Sequence, residues 1–136
     1  MPSSAEIVVI ADANVLLSAI ANRAAIKVFD SEIDVYTTEH TCAEVAEYTP
    51  YFSERYRITI ERMFKTMKML PLMVKDKEFY RERMSKAKKL MKDPEDVEVG
   101  ALALALDSPV WSNDNDFKNF PTGRYTTAQL LKILGK

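Results

Sequence analysis

Ile7-Val8-Val9-Ile10-Ala11 is an unbroken apolar run rich in β-branched residues. That pattern predicts a strand buried on both faces of a parallel sheet. The run stops at Asp12-Ala13-Asn14, after which Val15 to Ala21 turns helical. Arg23 to Ser31 reads as a second helical piece, with Ala25, Ile26 and Phe29 at helical spacing. Asp34-Val35-Tyr36-Thr37 is a short strand. Thr38 is placed to cap a helix over Glu39 to Tyr48, which Pro50 brings to an end. From Arg55 to Met69 the positions Tyr56, Ile60, Met63, Phe64 and Met67 recur at three-to-four spacing, predicting one amphipathic helix. Leu70 to Val74 is a strand candidate containing Pro71. Asp76 to Met91 predicts another helix, with Phe79, Tyr80, Met84, Ala87 and Leu90 inward and lysines outward.

The last third of the chain is the most strongly punctuated. Asp93-Pro94-Glu95-Asp96 has the form of a helix start, with Asp at the cap, Pro at the first position and acids in the first turn. Val97 to Leu106 is its helix, and Gly100, Ala101, Ala103 and Ala105 allow close packing on a sheet. Val110-Trp111-Ser112 is the next strand, Arg124-Tyr125-Thr126 the last, and Thr127 opens a final helix over Ala128 to Leu134. Strands alternating with helices predict an α/β layered domain around a mostly parallel sheet. In such sheets ligands bind at the carboxyl ends of the strands.

Composition narrows the class. At 136 residues, with 47% apolar and 29% charged positions, the chain suits a single soluble domain over 1–136. A lone cysteine, Cys42, permits no internal disulfide. No signal-peptide pattern opens the sequence, and the longest apolar run, Val99 to Leu106, is too short to span a bilayer. A cytoplasmic location is the expectation. The net charge of −1 conceals a polarity, because residues 55–92 hold 13 Lys/Arg against 4 Asp/Glu. Such a segment is either a pair of solvated helices with lysine-rich outer faces or a surface that steers a polyanion.

The edge rule gathers the acids. Asp12 ends the first strand, Asp114 and Asp116 follow the Val110 strand, Asp96 lies in the first turn of its helix, and Glu44 sits early in the helix after the Val35 strand. If these groups converge they need a cation, since two carboxylates 4 Å apart repel by roughly 4 kcal/mol at an effective dielectric of 20. An all-oxygen set suits Mg²⁺ or Mn²⁺, which serve phosphoryl chemistry. Plainer readings stand beside this one. Asp93 and Glu95 read as cap and dipole partner rather than ligands, and Asp96 as the third residue of the same helix start. Asp114 and Asp116 suit Asx turns. Glu44 has the neighbouring Glu39 and Glu47 as competitors. Asn14 and Ser112 are donors that could hold Asp12 and Asp114, or turn and cap residues. A charge ending a buried strand is costly without a partner, so Asp12 is the hardest to dismiss. His40 reads as a surface residue and Cys42 as buried rather than nucleophilic.

Four motifs in order then carry a resemblance: Asp12-Ala13-Asn14-Val15-Leu16 after an apolar strand, Glu44-Val45, Asp93-Pro94-Glu95-Asp96-Val97 leading into Ala101 to Ala105, and Trp111-Ser112-Asn113-Asp114-Asn115-Asp116-Phe117. With the Tyr125-Thr126-Thr127 to Leu131 tail, the chain resembles the PIN-domain family, and in particular small prokaryotic PIN proteins. The resemblance spans Ile7 to Leu134 but leaves Arg55 to Lys92 without a signature. It implies a three-layer α/β/α sandwich and a Mg²⁺- or Mn²⁺-dependent nuclease, usually a ribonuclease, which in many members is the toxin of a toxin–antitoxin pair and a homodimer. By position it makes Asp12, Glu44, Asp96 and Asp114 the catalytic acids and metal ligands, with Asp116 accessory. It implies cleavage to a 5′-phosphate and a 3′-hydroxyl. For an RNA substrate, Tyr51, Tyr56 and Tyr80 become candidates for stacking on unpaired bases, with core packing the competing role for Tyr56 and Tyr80. Two alternatives remain open. One is a PIN scaffold that binds RNA or a partner protein without cleaving. The other is a phosphatase or receiver domain using Asp12, which the Asn at position 14 and the lack of a suitably placed lysine speak against.

Overall fold

The computed structural model describes residues 7–136. Five parallel strands form one sheet: β1 (Ile7–Ala11), β2 (Ile33–Thr38), β3 (Leu72–Lys75), β4 (Val110–Trp111) and β5 (Arg124–Tyr125), in the order β3-β2-β1-β4-β5. Helices α1 (Ala13–Ile20), α2 (Glu39–Tyr56), α3 (Ile60–Met69), α4 (Lys77–Tyr80), α5 (Met84–Leu90), α6 (Val97–Leu106) and α7 (Thr127–Ile133) join them. Two apolar clusters form on the sheet. One joins β1 and β2 to α1, α7 and Met63 of α3, and the other joins Ile10 and Val110 to α6, Tyr80 and Ala87. The α/β/α layering expected from the sequence is the observed architecture. β1 lies at the centre, with Val9, Ile10 and Ala11 fully buried.

The chain order reverses at β1. Both neighbours of β1 pair with it in parallel, Ala11 standing beside Trp111 and Ile10 beside Tyr36. The ends of β1, β2 and β4 therefore share one edge, and so do the starts of α1 and α2. This is the switch point at which open α/β sheets form a crevice.

Several elements depart from the sequence-based expectation. α2 does not stop at Pro50; it runs on to Tyr56. Pro50 and Ala46 both lie on the exposed side, so the carbonyl that loses its N–H partner faces water. One residue earlier, on the buried side, the Thr49 hydroxyl donates to the Val45 carbonyl at 2.6 Å. The true break is Arg57, which is left-handed at φ 56°, and Thr59 then caps α3. The single helix expected over Arg55–Met69 is thus two. Only Met63 of its apolar stripe is fully buried, and Ile60 and Phe64 stay partly exposed. The helix expected over Asp76–Met91 is also divided, by a 3₁₀ turn at Arg81–Arg83. Tyr80 and Ala87 point into the α6 cluster, whereas Phe79 and Leu90 do not. Arg23 to Ser31 forms only a 3₁₀ turn over Ala24–Val28. At the end of the chain the cap is Thr126 rather than the expected Thr127, which is the first helical residue; Thr126 makes a capping box with Gln129.

Gly100 lets α6 seat against Phe120: a Cβ there would stand 3.2 Å from Phe120 Cε1 and 3.3 Å from Cζ. Phe120 is held in turn by an edge-on contact with the buried Phe117 at 5.8 Å. Gly100→Val is expected to destabilise the fold by about 1–3 kcal/mol through overpacking, read as a lower midpoint in urea unfolding. An unchanged midpoint would contradict this packing.

Candidate metal centre

Asp12 is the first residue after β1 and the cap of α1. Its Oδ1 accepts the Val15 N–H at 3.0 Å, and its own N–H donates to the Trp111 carbonyl at 3.2 Å. Asp12 as a whole is 6% exposed. Burial pushes its pKa up to about 6, and the Asp114 charge adds to that, while hydrogen bonds from Ser112 and Val15 pull the other way.

The Trp111–Phe117 segment is braced from behind. The Trp111 indole N–H donates to Thr127 Oγ1 at 3.0 Å, and the Asn113 amide both donates to that oxygen and accepts the Thr127 N–H. Ser112 is fully buried, and its Oγ accepts the Asp114 N–H at 3.0 Å. Arg124 Nη1 donates to the Asp114 carbonyl at 3.0 Å. Asp114 then accepts the Asp116 N–H at 2.9 Å, turning the chain so that both acids face the same side. Ser112 thus touches both Asp12 and Asp114.

Asp96 ends the 3₁₀ turn opened by Asp93, whose carboxylate accepts the Glu95 N–H at 3.0 Å. Asp96 Oδ2 is buried and has no hydrogen-bond partner among the described residues. Burial first, then the charges of Asp93, Asp12, Asp114 and Asp116, raise its pKa to about 7. Glu44, in the second turn of α2, is raised to about 7 by burial and then by Glu95, Asp96, Asp93 and Glu98.

Asp12, Glu44, Asp96 and Asp114 line one cavity of about 80 Å³, with Asn14, Asp93 and Glu95 on its walls. Asp96, Asp114 and Asp116 each offer a carboxylate oxygen within 4.8 Å of the other two. Asp12 and Glu44 share the cavity without joining that trio, and Glu44 stands among Glu95, Asp93 and Glu98. A buried, unpartnered carboxylate oxygen inside an all-oxygen cluster fits a hard divalent cation.

Sequence reasoning passed over three neighbours. His40 is half-exposed, yet its Nε2 lies 3.4 Å from Glu44 Oε1 and its Nδ1 2.9 Å from Glu98 Oε2. The Tyr80 hydroxyl donates to Glu98 from the other side at 2.5 Å. Tyr48 Oη donates to Glu95 at 3.3 Å. The signal was present as spacing, since residues 40, 44 and 48 fall on one helix face. Asp93 caps as expected, but both it and Glu95 also face the cavity. Cys42 is half-buried, and burial followed by the Glu39 charge pushes its thiol up, against a nucleophilic thiolate.

A family model described as the PIN domain matches residues 9–131. The chain belongs to the PIN-domain family. A chain in the crystal structure of VapBC2 from Rickettsia felis bound to a DNA fragment from their promoter superposes with a TM-score of 0.61 at 15% identity, covering 88% of this chain and 98% of that one. At that identity the likeness attests the fold alone. Comparison with curated proteins gives no match. Among the described residues of this PIN domain, no helix is long and apolar enough to cross a membrane.

The raised carboxyls make stability depend on pH with a defined sign. The folded values of about 6 for Asp12 and about 7 for Glu44 and Asp96 exceed the ordinary 3.8 to 4.5. The folded state therefore holds these protons more tightly. The resulting stabilisation is complete below about pH 4 and is lost as pH rises through 6 to 7. The metal-free protein is expected to melt at a lower temperature near pH 8 than near pH 5. Mn²⁺ is expected to raise the melting temperature more at the higher pH, where the ligands are ionised. A metal-free melting temperature that climbs over this interval would contradict the electrostatics described.

Proposed function

We propose that this PIN domain is a divalent-metal-dependent endoribonuclease. The observation that supports this most directly is the orphaned Oδ2 of Asp96, a residue that lines one cavity with Asp12, Glu44 and Asp114. Asp12, Asp96 and Asp114, joined by Asp116, would hold Mg²⁺ or Mn²⁺, with Glu44 a further ligand on the α2 wall. When bound, the ion supplies a lowered water pKa and neutralisation of phosphate charge.

The chain's own groups divide the remaining work. Asp12 is fixed by capping α1 and Asp114 by Ser112 Oγ, so the acids are preorganised rather than gathered by the substrate. We assign Glu44, on the α2 wall of the cavity, to accept the proton of the attacking water. In that hydrolysis the water oxygen would bond to phosphorus as the bond to the 3′ oxygen breaks; one water proton would go to Glu44 and solvent would protonate the departing 3′ oxygen, leaving a 5′-phosphate and a 3′-hydroxyl. The exposed cations of α4 and α5, among them Lys77, Lys86, Lys88 and Lys89, and Lys92 just after α5, give a polyanion a salt-dependent hold.

A scaffold that only bound RNA would gain nothing from this many clustered acids, which repel phosphate unless a cation is present. The toxin role extends the same reading. The shared fold with a chain of the VapBC2 assembly and the motif order support an antitoxin protein as partner.

Purified protein should cleave RNA in Mg²⁺ or Mn²⁺ and lose the activity with a chelator. Asp12→Asn and Asp96→Asn should each lower the rate by on the order of 10²-fold or more while the circular dichroism spectrum is kept. Undiminished cleavage by either variant would overturn the assignment.

A further inference from the structure

Beside the acidic cavity, and sharing Asn14, Tyr48 and Glu95 with it, lies an open groove of about 490 Å³ whose remaining walls are Tyr51 and Phe52. Tyr51 is 59% exposed, the most exposed aromatic ring among the described residues, and Tyr48 is 38% exposed. Tyr51 stands edge-on to Phe52 at 5.3 Å, and Phe52 lies 5.9 Å from Tyr56 at a tilt of 30°. Arginines interleave these rings. Arg55 Nη1 donates to the Tyr51 hydroxyl at 3.4 Å, and its guanidinium sits 5.6 Å over the Tyr56 ring. Arg23 covers the same ring at 5.0 Å. Of the three tyrosines that the sequence offered for stacking, Tyr80 is fully buried and Tyr56 is occupied by the two guanidiniums. Tyr51 is left with an open face.

We infer that the Tyr51 groove is a base-stacking subsite that holds a nucleotide of single-stranded RNA flanking the phosphate at the acidic centre. The inference rests on the nuclease reading above and specifies its substrate as unpaired RNA. Three features favour this occupant. The groove and the acidic cavity share the walls Asn14, Tyr48 and Glu95, so a chain held at one reaches the other. Its outer end carries Arg55 and, beyond it, Arg23, which attract phosphates, while its inner end is acidic and needs a cation before a phosphate can enter. Its aromatic walls offer a face to any base, whereas a base within a duplex is already stacked and cannot reach them. Arginine alternating with aromatic rings is the arrangement that binds single strands with little sequence preference.

The test uses a fluorescently labelled all-uridine RNA, alone and annealed to its complement. Anisotropy is measured in Mn²⁺ on the full chain carrying Asp96→Asn to suppress cleavage, and steady-state cleavage is measured with Asp96 intact. Tyr51→Ala should weaken single-strand binding roughly 5- to 100-fold, the range expected for one lost stacking contact. Cleavage should lose more through KM than through kcat. Tyr51→Phe, which keeps the ring and loses the hydroxyl, should bind within about 2-fold of the parent, and the duplex should bind more weakly than the single strand.

Equal affinity of parent and Tyr51→Ala would overturn the subsite, as would equal losses in Tyr51→Ala and Tyr51→Phe or a preference for duplex. So would a change of oligomeric state with Tyr51→Ala in light scattering, which would make the groove an interface between copies of the chain. The two readings fail separately. Cleavage without any dependence on the Tyr51 ring removes the subsite and leaves the nuclease. Ring-dependent binding without cleavage in any divalent metal removes the nuclease and leaves a single-strand binding groove.

Discussion

Mutual repulsion among carboxylates is the constraint around which this molecule is arranged. Asp12, Glu44, Asp96 and Asp114 line one small cavity at the edge of the sheet. Two such charges 4 Å apart cost roughly 4 kcal/mol at an effective dielectric of 20. Left to relax, they would separate or take up protons. The fold prevents separation, and burial first, with the neighbouring acids adding to it, raises the pKa values of Asp12, Glu44 and Asp96.

What prevents separation is backbone and small polar side chains rather than opposing charge. Asp12 is fixed by capping α1, Asp114 by Ser112 Oγ and by Arg124 on its carbonyl, and Asp96 by following the turn that Asp93 caps. The Trp111, Asn113 and Thr127 hydrogen bonds pin the loop after β4 to the start of α7. No described lysine or arginine lines the cavity. Cationic groups lie instead along the outer helices and beside Tyr51 and Tyr56. A site that keeps its acids close and its basic groups outside is suited to a small cation within and a polyanion approaching from without.

Much of this was legible before any coordinates. The unbroken Ile7–Ala11 run identified the central strand, and strand-helix alternation identified the parallel sheet. The rule that ligands sit at carboxyl ends then brought Asp12, Glu44, Asp96 and Asp114 to one edge. Tertiary context hid the rest. Pro50 is a helix breaker in isolation, but on an exposed helix face its unpaired carbonyl is solvated and α2 continues. Arg57, not proline or glycine, takes the left-handed conformation that ends it. Periodicity placed Phe64 and Phe79 inward along helices that the structure breaks or leaves partly uncovered. His40 was read alone as the only histidine. Its meaning comes from the carboxylates on either side, Glu44 four residues on and Glu98 from α6.

The central claim is that a divalent cation relieves this repulsion. The most direct measurement is a crystal structure of the protein soaked in Mn²⁺, with data collected to exploit manganese anomalous scattering. The account predicts one or more peaks in the cavity within about 2.0–2.6 Å of carboxylate oxygens, including Asp96 Oδ2 and an oxygen of Asp12 or Asp114. An empty cavity with every acid in place, or manganese bound only at unrelated surface carboxylates, would contradict it.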